Sequence, residues 1–216
     1  MDIGVLTFVC LGLAILAVRA TVRAVRRRHA DGATASMWWA GILIALTLVA
    51  AYFEVGHDRQ EALATTAMSA VTDNPNARGD CQRFTQALFN LSVYDGYVYR
   101  DSSDVARYTN DSCRALASYA SSSKVNPSLD QIAAVHLVAH ETMHVNGYWS
   151  EAEAECRAVQ LNHLVAMKLG ATETQARALQ ARYFAEIYPT LRDGYTSGEC
   201  REGGALDIFP ERTQFP

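Results

Sequence analysis

The sequence predicts a mainly α protein, with an N-terminal two-helix transmembrane hairpin followed by a small, disulfide-stabilised α (α+β) domain carrying at most a short β-hairpin. Three observations lead there. Two long uncharged apolar stretches fall within the first 53 of 216 residues. Four of the five cysteines lie beyond them. The remainder reads as successive helices, each opened by a capping residue and closed by Gly or Pro. Half of all residues are hydrophobic, enough for a core, and the excess is concentrated at the N-terminus.

Ile3 to Val18 carries no charge, and Met37 to Phe53 is broken only by Thr47. Each is slightly shorter than the ~20 residues that span a bilayer, and flanking arginines and aromatics can supply the rest. Trp38–Trp39 and Tyr52–Phe53 stand at the two ends of the second stretch, where a spanning helix places its interfacial aromatics. A signal peptide is the competing reading, but the N-terminus lacks a basic region and a small-residue cleavage site. Arg19, Arg23, Arg26, Arg27 and Arg28 lie between the stretches, opposed only by Asp31. The positive-inside rule puts loop 19–36 in the cytoplasm, so the N-terminus and everything after Phe53 are expected outside it, at the cell membrane. The expected division is 1–53 as hairpin, 54–79 as helical connector and 80–216 as extracytoplasmic domain.

Charge follows the same division. Residues 1–53 carry five arginines against Asp2 and Asp31, and the remainder holds 14 basic and 21 acidic residues, a net of −7. Such a domain is a poor binder of nucleic acid, so none is expected as partner. Cys10 lies in the first span, while Cys81, Cys113, Cys156 and Cys200 fall in the outward part, where disulfides form. Three pairings are open to four cysteines. The expected one joins Cys81 to Cys113, tying early helices together, and Cys156 to Cys200, holding the tail.

In the connector, Leu63, Ala67, Ala70 and Val71 make a weak apolar stripe that ends at Pro75. Asp80 is placed to cap a helix over Cys81–Leu91, with Phe84, Leu88 and Leu91 at helical spacing. Asp95-Gly96 between alternating Val and Tyr signals a β-hairpin over Ser92–Tyr99. Asn110 or Asp111 is expected to cap a short helix through Tyr119. Ser128 and Gln131 form a capping box for the next helix, whose apolar run of Ile132, Val135, Leu137 and Val138 buries it, with Gly147 as its stop. Ser150 with Glu153 offers a second box for a helix running to Leu169 and Gly170. A third runs from Thr172 or Thr174 to Tyr188, ahead of Pro189.

The buried helix contains His140-Glu141-Thr142-Met143-His144. Positions i and i+4 share a helix face, so two imidazoles can bind one Zn²⁺, with Glu141 beside the metal to take a proton from water. A third ligand is needed, and Glu151 and Glu155 stand one turn apart on the following helix. Carboxylates in a first helical turn are also favoured by the helix dipole alone. His136 and His163 read as core histidines or as groups supporting the site, and Met143 as core.

The His-Glu-x-x-His helix followed by Ser150-Glu151-Ala152-Glu153-Ala154-Glu155 resembles the gluzincin class of zincin metallopeptidases. That resemblance implies His140, His144 and Glu151 as metal ligands, Glu141 as general base, and Glu155 as the acceptor that orients a ligand histidine. Only six residues separate His144 from Glu151, fewer than in the familiar peptidases, which leaves Glu155 open as the third ligand. The metzincin pattern would need His or Asp where Ser150 stands. Together with the Glu199-Cys200-Arg201 tail and its Gly203-Gly204, the motifs are similar to a group of uncharacterised actinobacterial membrane-anchored zincin-like proteins. The resemblance implies a fold and a metal site but no substrate.

The expected function is therefore that of a membrane-anchored zinc metallohydrolase, a peptidase acting outside the cytoplasm on a peptide or protein substrate. Tyr148, Tyr183, Tyr195 and Arg201 are the candidate donors to a developing oxyanion. Two other readings use the same residues: a non-catalytic zincin-like binding module, or an accessory subunit of an envelope membrane-protein complex anchored in the lipid bilayer.

Overall fold

The computed structural model describes residues 5–26, 33–83 and 95–216. It is mainly helical, 63%, with six helices, one small sheet and two disulfides among the described residues. The chain divides into two compact units, Met1–Arg59 and Gln60–Pro216.

The first unit holds α1 (Val5–Arg26) and most of α2 (Ala33–Met68). Both helices contain stretches long and apolar enough to cross a membrane, Thr7–Arg26 and Met37–Met68, with mean hydropathy 2.0 and 1.8. The pattern of burial inverts that of a water-soluble helix pair. Buried positions are small (Ala17, Ala24, Ala40, Ala50), while Phe8, Leu11, Leu16, Trp38, Trp39, Leu48 and Phe53 point outward. Small residues let helix backbones approach where hydrocarbon surrounds them. Thr7 donates a hydrogen bond to Glu54, which joins the first turns of α1 to the middle of α2. Arg27, Arg28 and Asp31 lie outside the described residues.

In the second unit, the last turns of α2 end at Met68, and Ala64, Ala67 and Met68 are fully buried in the core. The sheet is larger than the expected hairpin. Its order is β1-β3-β2, with β1 (Arg78–Cys81) parallel to β3 (Val105–Tyr108) and β2 (Gly96–Val98) antiparallel to it. Asp80 therefore lies in a strand and does not cap a helix; residues 84–94, with the rest of that expected helix, lie outside the described residues. Gly96, Tyr97 and Val98 pair with Tyr108, Arg107 and Ala106 of β3, and residues 92–94 of the expected hairpin lie outside the described residues.

Helix α3 (Asn110–Ser121) is capped one residue earlier than expected, with Thr109 Oγ1 accepting from the Ser112 amide. Helix α4 (Leu129–Val145) carries the predicted capping box of Ser128 and Gln131 and is buried on nearly all sides. It ends in a Schellman turn: Tyr148 N–H bonds Met143 O and Gly147 N–H bonds His144 O, while Gly147 takes φ +92 without the Cβ penalty. Helix α5 (Glu151–Lys168) starts at Ser150, but Ser150 makes no side-chain cap and Glu153 pairs with Arg157 at 3.1 Å instead. Helix α6 (Glu173–Arg182) has its own box, Thr172 with Gln175, and runs into a π-turn over Tyr183–Ile187 and a 3₁₀ turn over Tyr188–Thr190.

Cys81 pairs with Cys113 and Cys156 with Cys200. The second bond fastens the tail against α5, where Gln160 also donates to Leu206 O and accepts from Ile208 N–H. The bond closes a loop across a sequence separation of 44 in the unfolded chain, and opening it releases that constraint. Replacing Cys156 and Cys200 by Ser is expected to lower unfolding free energy by up to about 4 kcal/mol, read as a drop in urea midpoint, with a steeper slope because the unfolded chain expands.

Candidate metal centre

Three side chains converge where α4 meets α5. His140 Nε2 and His144 Nε2 lie 3.2 and 3.3 Å from the same oxygen, Glu151 Oε2. The opposite ring nitrogens are already engaged. His140 Nδ1 is 2.8 Å from Glu155 Oε2, and His144 Nδ1 is 2.7 Å from the Tyr148 carbonyl. Carboxylate and carbonyl only accept, so both Nδ1 atoms carry the proton, and a neutral ring then turns a lone pair from Nε2 toward Glu151. Lone pairs and a carboxylate oxygen held this close require positive charge between them, supplied by added protons or by a metal cation.

The metal-free protein supplies protons. Burial pulls the His140 pKa down, yet hydrogen bonds to Glu151 and Glu155 outweigh burial and raise it to about 10. The same bonds, from His140 and His144, hold Glu151 well below the usual carboxylate range. The donor set also fits a metal. A tetrahedral ion with bonds of about 2.0–2.1 Å needs ligand atoms about 3.3–3.4 Å apart, close to the two separations found.

Glu155 does not join this group. It sits on the Nδ1 side of His140, where its Oε2 also meets His136 Nε2 at 3.0 Å and its Oε1 accepts from Tyr183 O–H at 2.7 Å. Burial alone would raise Glu155, but His136 and His140 hold it far below its usual range. His136 is pushed down by burial despite Glu155; Asn162 Nδ2 donates to its Nδ1 at 3.2 Å, and Tyr183 stacks on its ring at 3.5 Å. Among the described residues two groups of ligand atoms can thus hold a metal ion: His140, His144 and Glu151, or the fully buried His136, His140 and Glu155.

Glu141 is 3% exposed, and its Oε2 has no hydrogen-bond partner among the described residues. Burial outweighs the pull of His140 and His144 and raises its pKa to about 7. Gly96 makes this position possible: a Cβ there would stand 2.9 Å from Glu141 Oε1. Glu141, His144 and Glu151 line an open cleft of about 650 Å³ together with β2, Arg100, Trp149, Arg192 and Tyr195. A second cleft of about 1020 Å³ reaches His140 from the side of α3, and Gly96, Arg192 and Tyr195 line both.

Of the four candidate oxyanion donors, only Tyr195 faces the cleft, stacked on His140 at 5.7 Å. Tyr183 O–H is committed to Glu155, Tyr148 lies under Arg157 at 3.9 Å, and Arg201 bonds the exposed Gly198 carbonyl. His163 bonds Gln180 away from the site, and Met143 is core. Sequence reasoning did not anticipate Gly96, Trp149, Arg100 and Arg192. His136 was legible, four residues before His140 on the same face, whereas Tyr183 lies 28 residues past Glu155 with no local signal. Comparison with protein-family models, with curated proteins and with solved structures returns no match.

Proposed function

We propose that the chain is a membrane-anchored zinc metallohydrolase, a peptidase whose second unit works outside the cytoplasm. One observation carries the reading: two imidazoles with their Nδ1 protons tied down aim Nε2 at one Glu151 oxygen, beside a buried carboxylate with an unpartnered oxygen, in an open cleft. His140, His144 and Glu151 would hold the ion, and zinc is the first choice for two imidazoles and one carboxylate. When bound, it supplies Lewis acidity, polarising an acyl oxygen and acidifying water. Glu155 fixes the His140 tautomer, and His136, Asn162 and Tyr183 fix Glu155. Glu141 accepts the proton of the attacking water and passes it to the departing amine. Tyr195, with Arg192 donating to its hydroxyl at 3.0 Å, can donate to the developing oxyanion.

Peptide is favoured as substrate because β2 is an edge of the described sheet and lines the cleft, so an extended chain can pair with it. Residues Arg19 to Arg28 orient the hairpin with their loop inward.

The inner group, buried at all three ligands, favours a second reading, a metal that holds the fold together and takes no part in hydrolysis. Elemental analysis of the detergent-purified chain separates them. The outer site predicts one zinc per chain, lost in His140→Ala and Glu151→Ala and retained in His136→Ala. Loss in His136→Ala with retention in Glu151→Ala would establish the inner site. A folded wild-type chain that takes up no metal would leave the accessory-subunit reading.

A further inference from the structure

From its N-cap onward, α4 presents one continuous stripe to the two clefts. Among the described residues, Ser128, Gln131, Ala134, Leu137 and His140 line the cleft of about 1020 Å³. Glu141 and His144 carry the stripe on into the cleft of about 650 Å³. Steps of three and four residues keep these positions on one helix face, so the clefts are successive reaches of one groove. The reaches meet at Gly96 and Tyr195, which line both. Gly96 puts no side chain across the junction, and Tyr195 lies stacked on His140 at 5.7 Å, its hydroxyl accepting from Arg192 at 3.0 Å. The two edges of the His140 ring face different reaches. Nδ1 meets Glu155, which lines the larger, and Nε2 meets Glu151, which lines the smaller. Trp149, stacked on His144 under the Arg100 guanidinium, walls the smaller reach past the histidine pair. The outer ligand group therefore sits partway along the groove.

We infer that the groove threads an extended peptide past the site and that the chain is an endopeptidase, cutting bonds away from either terminus of its substrate. The inference rests on the metallohydrolase reading for the bond that is cut. The reaction is unchanged: the water oxygen bonds the acyl carbon, the C–N bond breaks, and Glu141 hands the water's proton to the departing amine. Length sets the substrate class. Ser128 to His144 is roughly 24 Å at about 1.5 Å per helical residue, room for about seven extended residues at roughly 3.3 Å each. About five of these fall between Ser128 and His140, and about two beyond. An enzyme that trims ends needs a free charge beside the metal to take the terminal amine or carboxylate. In the larger reach the carboxylate nearest His140 is Glu155, already committed to His136, His140 and Tyr183.

The test uses the full chain in detergent, zinc-loaded, with a neutral peptide of about twelve residues, either free at both ends or acetylated and amidated. Mass spectrometry locates the cut. The blocked form is expected to be cut at an interior bond, within about twofold of the rate of the free form. Trimming the longer side from about five residues to about two should lower kcat/KM at least about tenfold. In a Glu141→Gln background, calorimetry should show the long blocked peptide binding at least about tenfold more tightly than the trimmed one. Leu137→Trp on α4 and Ser118→Trp on α3 each put an indole into the larger reach. Both should remove the advantage of the long peptide and leave the trimmed one unchanged. Zinc content reports whether each fold survives, and Ser118 is exposed, so its variant stands if packing fails at Leu137.

Cleavage confined to a terminal bond, and abolished by blocking that end, overturns the inference and leaves a hydrolase that trims ends. Interior cleavage indifferent both to peptide length and to the two Trp substitutions overturns it as well, since the larger reach then holds no substrate. No cleavage of any peptide by the zinc-loaded wild type sinks the hydrolase reading and the endopeptidase with it. Length-dependent binding that persists in that case leaves a groove that binds peptides without cutting them.

Discussion

Replacing Glu141 by Gln is expected to lower hydrolysis about 10²–10⁴-fold while leaving metal content at one ion per chain. The geometry separates the two functions. Glu141 contributes no atom to the His140, His144 and Glu151 group, so its loss removes no ligand. Its side chain is buried against Gly96, and Gln has the same shape, so the cleft should keep its form. What Gln lacks is basicity: an amide accepts no proton from water near neutral pH. The check is a paired measurement, zinc by elemental analysis and peptide cleavage by mass spectrometry on the same preparation. Retained metal with unchanged cleavage would refute Glu141 as the base. Lost metal would mean that Glu141 belongs to the ligand set.

Metal uptake is expected to release about one proton per chain at pH 8, and affinity to climb about tenfold per pH unit around neutrality. The sign follows from His140. Its metal-free pKa is raised to about 10, so the ring is charged at pH 8, and the Nε2 proton must leave before the nitrogen can bind metal. Above about 10 that proton is already gone and the slope should flatten. Below about 7 a second proton joins, because buried Glu141 is then largely neutral and a dication beside it drives it to ionise. Calorimetric titration of zinc into the chain, in buffers of different ionisation enthalpy, counts these protons directly. An affinity independent of pH between 6 and 8 would show that His140 Nε2 is not a ligand.

Local chemistry was legible wherever neighbouring residues decide conformation. The Ser128 and Gln131 box, the Gly147 turn and the Gly170 stop each depend on hydrogen bonds within six residues, and each formed where the pattern put it. The two apolar helices follow from composition alone. Capping at Ser150 failed for a physical reason: Arg157, one turn on, offers Glu153 an ion pair in place of the Ser150 amide. Strand pairing is decided by a partner elsewhere in the chain: Gly96 to Val98 pair with β3, a contact that no local pattern announces, while the first arm of the expected hairpin, residues 92–94, lies outside the described residues.

The candidate site divides along the same line. His140, Glu141 and His144 follow from a four-residue period on one helix, and Glu151 from the next helix start. Choosing Glu151 over Glu155 for the Nε2 side was beyond sequence, since both lie one turn apart and only the crossing of α4 over α5 shows each to a different nitrogen of His140. The same holds for Tyr183, brought to Glu155 by the π-turn after α6, and for the paired aromatics and arginines at the mouth. By itself the sequence determined two apolar spans, a cysteine-bearing helical unit and a histidine pair able to share an ion. Tertiary structure alone decided which carboxylate faces that pair, which groups hold the imidazoles in one tautomer, and what charge rings the cleft. Spacing along a helix sets neighbours on one face, whereas contacts between elements far apart in the chain depend on how those elements pack.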